Sequence, residues 1–544
     1  METGSLSRIA YFCMEFGLHE DFKIYSGGLG ILAGDILKTA KDEGYPVIGV
    51  GILWRQGYTK QLIGDDGKPF DCYPEYVYDF LEDTKVTVKV KIKGRDVAAK
   101  VWLCKCFNNN PLYLLDTNVP GNPDMLLTGQ LYGWFDEQRV AQEMILGIGG
   151  VRALRKLGID VDIYHFNDSH PILAGIELIR EKMKGGMIFE QAWNETRKQI
   201  VFTTHTPVEA GNEVHSYELL NYAGALNGLT REQMARIGGD PFSMTVAGLR
   251  LSKKANAVSQ LHGLTAKKMW EHVEGASEII AVTNGVHNGT WQDQRIVDAC
   301  NGGDLWEAHM SLKRELIEEI CKRNGIRLKE DVLTIGFARR FAPYKRSNLI
   351  FTYRELIEPY LREGKLQLIF SGKAHPNDLV GKKAVEELYK MTRLYPKNIV
   401  FLQDYDMKIG KLLTRGCDVW LNNPIRPMEA SGTSGMKAAM NGVLNLSILD
   451  GWWPEFCVHG VNGWQIGDGY EGEDCDERDA KSLYRVLFEE VMPTYCENRP
   501  KWVEMMKESI KMSGERFSAR RMLADYYNLM YAPAAEDLAA AAKE

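Results

Sequence analysis

No C-x-x-C pair occurs among the ten cysteines. Structural zinc sites bring four ligands together, usually as two such pairs, so ordinary reduced thiols are expected and no metal. Apolar runs are also short: none approaches the roughly 20 residues that span a bilayer. No charged-then-apolar leader opens the chain. These absences predict a soluble, cytoplasmic protein with no membrane partner. Basic residues are not in excess either. Lys plus Arg number 66 against 73 Asp plus Glu, a formal net charge of −7, whereas a dedicated nucleic-acid binder carries a strongly basic domain. No nucleic-acid partner is expected, although a local basic pocket stays open. G-x-G-x-x-G is missing too, so a Rossmann dinucleotide fingerprint is unsupported.

What is present is an ordinary globular composition, 45% hydrophobic and 26% charged over 544 residues. That length suggests about three or four domains, or two large ones, with enough buried surface to need no disulfide or metal staple. Strand and helix signals alternate, which favours α/β layers with parallel sheets. Val86–Phe107 breaks the rule: its short alternating stretches around Lys93–Arg95 predict an antiparallel ribbon beside the main sheet. In the second half, Val332–Phe337, Leu366–Phe370, Ile399–Leu402, Asp418–Leu421 and Val443–Leu449 read as strands, with helices at Lys345–Glu363, Met407–Thr414 and Ala480–Met492. The expected fold is two doubly wound, Rossmann-like α/β domains facing a central cleft. Residues 1–295 form the first, with the inserted ribbon, and 296–515 the second. A helix within 516–544 is expected to pack back on the first domain before a frayed tail.

Three segments carry chemistry. Ser26-Gly27-Gly28-Leu29-Gly30 stands at a helix start, where glycines admit a ligand and free N–H groups favour anions; such turns serve packing as often as binding. Arg339-Arg340-Phe341-Ala342-Pro343-Tyr344-Lys345-Arg346 follows directly on a buried strand. Ligands of open α/β sheets bind outside the carboxyl ends of strands, and clustered cations there call for an anion, best read as phosphate. Pro427–Lys437 surrounds Glu429 and Lys437 with small residues. Free N–H groups at the following helix start would suit a phosphate, Glu429 would bond sugar hydroxyls, and an enclosed lysine such as Lys437 can form a Schiff base.

Here the motifs become recognisable. E-A-S-G-T-S-G-M-K resembles the pyridoxal-phosphate lysine motif of the α-glucan (glycogen, starch, maltodextrin) phosphorylases, and R-R-F-A-P-Y-K-R resembles their basic phosphate segment. S-G-G-L-G, N-D-S-H-P at Asn167–Pro171, T-T-H-T-P at Thr203–Pro207 and T-N-G-V-H at Thr283–His287 are similar to further signatures of that family, in its order. The likeness runs from about Arg8 to about Glu515. It implies the two-domain glycosyltransferase fold of type B and pyridoxal 5'-phosphate as an imine on Lys437. Arg340, Lys345, Thr433 and Ser434 would hold the cofactor and substrate phosphates, with Arg339 nearby and Tyr405 on the cofactor phosphate. Glu429, Ser431 and Gly432 would bind glucosyl hydroxyls, Asn284 the primary alcohol, and His205 would lie against the sugar. Gly28 and Leu29 would face phosphate and sugar; Glu15, Asp168 and His170 would line the same cleft, Glu15 equally well as a structural partner.

Some positions depart from the longer animal and plant enzymes. Arg339 stands for lysine, Ala342-Pro343 for His-Glu, and Gly435 for asparagine, which resembles a short, divergent bacterial-type branch. Regulation by phosphorylation or nucleotides is therefore not expected, and a homodimer is left open. The implied reaction is phosphorolysis of an α-1,4-glucan at its non-reducing end by orthophosphate, reversibly giving glucose 1-phosphate with retention. No carboxyl pair of the kind retaining glycosidases use declares itself. Three rivals are weighed: a nucleotide-sugar glucosyltransferase resembling glycogen synthase, which would need no lysine-bound cofactor; a non-catalytic glucan-binding protein; and a pyridoxal enzyme acting on amino acids, for which no arginine–aspartate arrangement is evident.

Overall fold

The computed structural model describes residues 6–133, 136–208, 211–532 and 534; Met1–Ser5 and the tail beyond 534, where fraying is expected, lie outside them. The chain divides into two compact units. One takes residues up to 58, 73–283 and from 522 onward, and the other 59–72 with 284–521.

The first unit is built on a nine-stranded sheet. Its strands run in the order Ile279–Ala281, Lys254–Ala257, Ile200–Thr203, Ile163–Asn167, Ile9–Phe12, Val47–Ile52, Leu112–Asp116, Arg95–Cys104, Glu82–Ile92. All neighbours pair in parallel until Leu112–Asp116, where the Glu82–Cys104 ribbon adds two antiparallel pairings. The expected ribbon is thus continuous with the sheet, at its edge. Chain order reverses between Ile9–Phe12 and Ile163–Asn167.

The second unit carries a six-stranded, wholly parallel sheet. Its order is Ile399–Leu402, Leu366–Ser371, Leu333–Ala338, Val419–Asn422, Leu444–Ile448, Gly463–Ile466. Numbered along the chain this is 3-2-1-4-5-6, the doubly wound arrangement that places ligands where the order reverses. Alternate residues of these strands enter different clusters: Ile335, Phe337, Leu368 and Phe370 one, Ile369, Val400, Leu402 and Trp420 another. Both faces are covered, as a parallel sheet requires. The hairpin Lys60–Ile63/Pro69–Cys72 joins this unit through Gln61, which bonds both the carbonyl and the N–H of Ala374 (3.1 and 2.9 Å).

One expected element is different. Lys345–Glu363 is not a single helix: a 3-10 turn spans Pro343–Lys345, Arg346 follows at φ +49°, and the α-helix starts only at Arg354. Proline opens the turn and a left-handed residue ends it. Lys345 consequently sits on a tight loop.

The long helix Leu305–Asn324 starts at Asp304, whose side chain accepts the Glu307 N–H, and stops at left-handed Gly325. It carries a buried ionic network to the sheet. Lys313 Nζ meets Asp418 (2.5 Å), the Val332 carbonyl and the Tyr495 hydroxyl, while His309 Nε2 bonds Asp418 (2.9 Å). Burial pushes the Asp418 carboxyl up, but the Lys313 charge and the His309 bond outweigh it and hold it below its ordinary value. The stabilisation is therefore full above the ordinary carboxylate range and fades as pH falls through the depressed value. Lys313→Met leaves Asp418 buried with one partner fewer and is expected to cost about 3–5 kcal/mol, read from urea unfolding at pH 7. A loss under about 1 kcal/mol would refute the pairing.

Candidate active site

Ligand chemistry gathers at the point where the second sheet reverses. Arg339–Arg346 leaves the carboxyl end of Leu333–Ala338, and Pro427–Lys437 follows the neighbouring strand Val419–Asn422. Glu429, 8% exposed, is the centre. One carboxylate oxygen accepts from Lys345 Nζ (2.6 Å) and from Arg339 (3.2 Å). Burial pushes Glu429 up, yet Lys345, Arg339 and the Arg340 charge hold it below the usual carboxylate range. Burial lowers the Arg339 guanidinium, with Glu429 opposing. Arg340 is exposed. The sequence-predicted phosphate and sugar groups are thus brought together as one buried and one half-buried cation on one anion.

The loop after Glu429 is tightly specified. Gly432 adopts φ +80°, where a side chain would be strained and its Cβ would press on Glu429 Cγ at 3.2 Å. Ser431 Oγ and Arg339 Nε are buried and unpartnered. Thr433 enters the short helix Ser434–Ala439 without a side-chain cap bond. Ser434 Oγ accepts the Trp420 indole N–H (3.1 Å), which leaves its own O–H to donate. Lys437 is 6% exposed, and its Nζ stands 3.8 Å from the centroid of the Trp291 ring. Tyr405 is pushed up to about 12 by burial and stays a neutral donor. An amine, a hydroxyl and an unpartnered guanidinium N–H fit a cofactor that bears an aldehyde and a phosphate.

Trp291 was not legible as a site residue. Neither was Asn441, which bonds the carbonyls of both Trp291 (3.0 Å) and Lys437 (2.8 Å). Asn284, also in this unit, is 4% exposed with Oδ1 unpartnered, and its carbonyl accepts from Arg521 (3.1 Å).

In the first unit, the predicted residues cluster at carboxyl ends around the reversal. Glu15, just beyond Ile9–Phe12, accepts the N–H groups of Ser26 (2.5 Å) and Gly27 (3.1 Å) and the hydroxyls of Ser26 and Tyr132 (both 3.0 Å). It therefore holds the glycine loop in shape. A Cβ on Gly30 would come within 2.6 Å of Glu15, whereas Gly28 has open space on that side. Leu29 is half-buried beside it. His205, after Ile200–Thr203, bonds Asn167 Oδ1 through Nε2 (2.6 Å); burial lowers its pKa to about 3, so the ring is neutral. Asp168 takes φ +68° and bonds the Ser169 N–H (2.8 Å), with its carboxyl raised to about 7, chiefly by burial. His170 is lowered to about 4 by burial, and its Nδ1 is unpartnered.

Among the described residues, one group could hold a cation: Glu143, Glu213 and His215, with one ligand atom each within 4.8 Å of one another. Arg139 stands 3.3 Å from Glu213, and burial with the Glu213 charge pushes the Glu143 carboxyl well up. Arg139 already offsets the Glu213 charge. Among the described residues, no helix is long and apolar enough to cross a membrane.

A nine-stranded, mostly parallel sheet and a wholly parallel six-stranded one, the latter with cations, a carboxylate and an enclosed lysine at its reversal, define a doubly wound α/β protein. Comparison with known proteins gives the family. Residues 298–457 match the family model described as carbohydrate phosphorylase. The chain is 41% identical to a maltodextrin phosphorylase of Thermococcus litoralis, over 97% of this chain and 70% of that protein. It is 38% identical to a glycogen phosphorylase of Aquifex aeolicus, over 96% and 86%, and 37% identical to one of Mycobacterium tuberculosis, over 97% and 71%. This chain belongs to the carbohydrate phosphorylase family.

Proposed function

We propose that this chain is an α-glucan phosphorylase that converts an α-1,4-glucan of n glucosyl units and orthophosphate, reversibly, into the glucan of n−1 units and glucose 1-phosphate. The observation that carries it is the pairing of Arg339 and Lys345 with Glu429 on the loop that leads to Lys437. In this reading the cations bind orthophosphate, Arg340 adds its charge from the exposed side, and Glu429, Ser431 and Gly432 hold the glucosyl hydroxyls. Asn284 meets the primary alcohol, and neutral His205, Asp168, Gly28 and Leu29 attend the sugar and phosphate.

The C1–O4 bond breaks as orthophosphate gives a proton to the leaving O4, and a phosphate oxygen forms the new bond to C1 on the same face. Buried Arg339 and half-buried Lys345 stabilise the crowded anions more strongly than they would in water. Glu429, charged at neutral pH, orients the sugar and donates no proton. Lys437, with Thr433, Ser434 and Tyr405, would hold pyridoxal 5'-phosphate, which would supply a second phosphate group able to exchange a proton.

The test is turnover. Maltooligosaccharide with orthophosphate is expected to yield α-glucose 1-phosphate, identified by its anomeric NMR signal, and the reverse reaction should lengthen the glucan. Chain extension from a nucleotide sugar without phosphorolysis would instead select the glucosyltransferase. Glucan binding without either reaction would select the binding protein.

A further inference from the structure

Glu429 is held at its backbone by a residue that no sequence motif pointed to. Asp450 follows the strand Leu444–Ile448 and is fully buried. Its Oδ2 accepts the Glu429 N–H (2.9 Å), and its Oδ1 accepts the N–H of Gly451 (2.8 Å). The next residue continues the attachment: the Trp452 N–H donates to the Ser431 carbonyl (3.0 Å). Gly451 lies between them at φ +59°, and a Cβ there would stand 2.3 Å from the Ser431 oxygen. Residues 450–452 therefore fasten the loop 429–431 at both ends, with the carboxylate making the bond nearest the Glu429 side chain.

We propose that Asp450 is a positioning residue for the glucosyl-binding carboxylate: by fixing the Glu429 backbone it sets the enzyme's affinity for the sugar and leaves its affinity for orthophosphate nearly untouched. This rests on the reading of Glu429 as a ligand of glucosyl hydroxyls. The physical basis is the strength of an N–H bond to a charged acceptor in a buried place, roughly twice that of a neutral one. An asparagine at 450 keeps the shape but must turn either an N–H or a neutral oxygen toward each of two amide donors, so at least one bond is lost and the other weakened.

The groups facing Asp450 define its pH behaviour. Burial and the Glu429 charge push its carboxyl up to about 7, while Arg426 and the two amide donors pull it down. The charged, fully clamping form is therefore complete above about pH 7 and is lost as pH falls below it. Orthophosphate ionises in the same range, but its contribution is common to variant and wild type and cancels in their ratio.

The experiment uses the cofactor-loaded enzyme, with steady-state phosphorolysis of a maltooligosaccharide at varied glucan and varied orthophosphate. Asp450→Asn is expected to raise the glucan KM about tenfold, with the phosphate KM changed less than about twofold. Asp450→Ser, which offers a single, shorter neutral acceptor, should raise the glucan KM at least as much and carries the measurement if Asp450→Asn is insoluble. The gap in glucan kcat/KM between wild type and Asp450→Asn should be widest above pH 7 and narrow below it. Combined with Glu429→Gln, Asp450→Asn should add little, because it acts through that side chain. Equal rises in both KM values, a gap constant across pH, or fully additive losses in the double variant would overturn the proposal. Additive losses with a large effect of Glu429→Gln alone would leave the reading of Glu429 standing. No effect of Glu429→Gln on glucan KM would remove that reading, and with it the route through which Asp450 is said to act.

Discussion

Lys437→Ala is expected to purify without the near-ultraviolet absorbance of a pyridoxal imine and to lose phosphorolysis by at least roughly a thousandfold, the scale at which removal of a single preorganised charge-stabilising group is felt. The lysine is 6% exposed and its ammonium lies over the Trp291 ring, so truncation also removes a cation–π contact of about 1–2 kcal/mol. Lys437→Arg separates the two effects. A guanidinium restores a cation over the indole but forms no imine, so this variant should recover thermal stability and remain inactive. In the wild type, borohydride reduction followed by peptide mass mapping should place the label on Lys437. A fully active wild type that is colourless and unlabelled would end the assignment of the cofactor.

The residues around Lys437 show why part of this site could be read in advance and part could not. Glu429, Ser431, Gly432, Thr433, Ser434 and Lys437 lie on one short stretch that must follow a buried strand, so their types and spacing are a local pattern. Arg339, Arg340 and Lys345 are local in the same way. The strand order then brings the two stretches together, because Leu333–Ala338 and Val419–Asn422 are neighbours at the reversal of the sheet. Trp291 and Asp450 carry no such signal. Trp291 meets Lys437 only after the second unit has folded, and Asp450 reaches Glu429 across 21 residues through a backbone amide. A backbone partner leaves no imprint on the identity of the residue it holds. Glu15 illustrates the opposite limit: the sequence marked it, but only the four hydrogen bonds it accepts identify it as the holder of the Ser26–Gly30 loop. The hairpin 60–72 was illegible for the first reason, since Gln61 and Ala374 are linked over 313 residues.

The fold was legible to the extent that hydrophobic periodicity specifies it. Leu366–Ser371 and Ile399–Leu402 are buried along their whole length and appear in the sequence as short continuous apolar runs. The stretch after Tyr344 misleads, because its helical periodicity continues through Lys345–Glu363 while Arg346 turns left-handed and two 3-10 turns intervene. That break places Lys345 at Glu429.

Glu429→Gln gives the second large effect, and its two arms have opposite signs. In wild type the carboxylate is charged at neutral pH, held below its ordinary range by Lys345 and Arg339, so it both orients the sugar and neutralises cations that orthophosphate also needs. Glutamine keeps the shape and loses the charge. Charge-assisted bonds to the glucosyl hydroxyls become neutral ones, roughly half as strong, and glucan kcat/KM should fall about a hundredfold, as for a buried polar group left imperfectly paired. Arg339 and Lys345 lose their anionic partner in a buried site, where an uncompensated charge is costly. A free anion can then take that place, so the variant should bind orthophosphate several-fold more tightly than wild type by calorimetry without glucan. With a 3-deoxy glucosyl donor the loss in kcat/KM should shrink, because part of the interaction is already missing. A general acid at this position would behave otherwise: both donors would slow alike and the pH profile would move. Equal losses for both donors, or a phosphate affinity that falls with the carboxylate, would show that Glu429 does not mediate between sugar and anion.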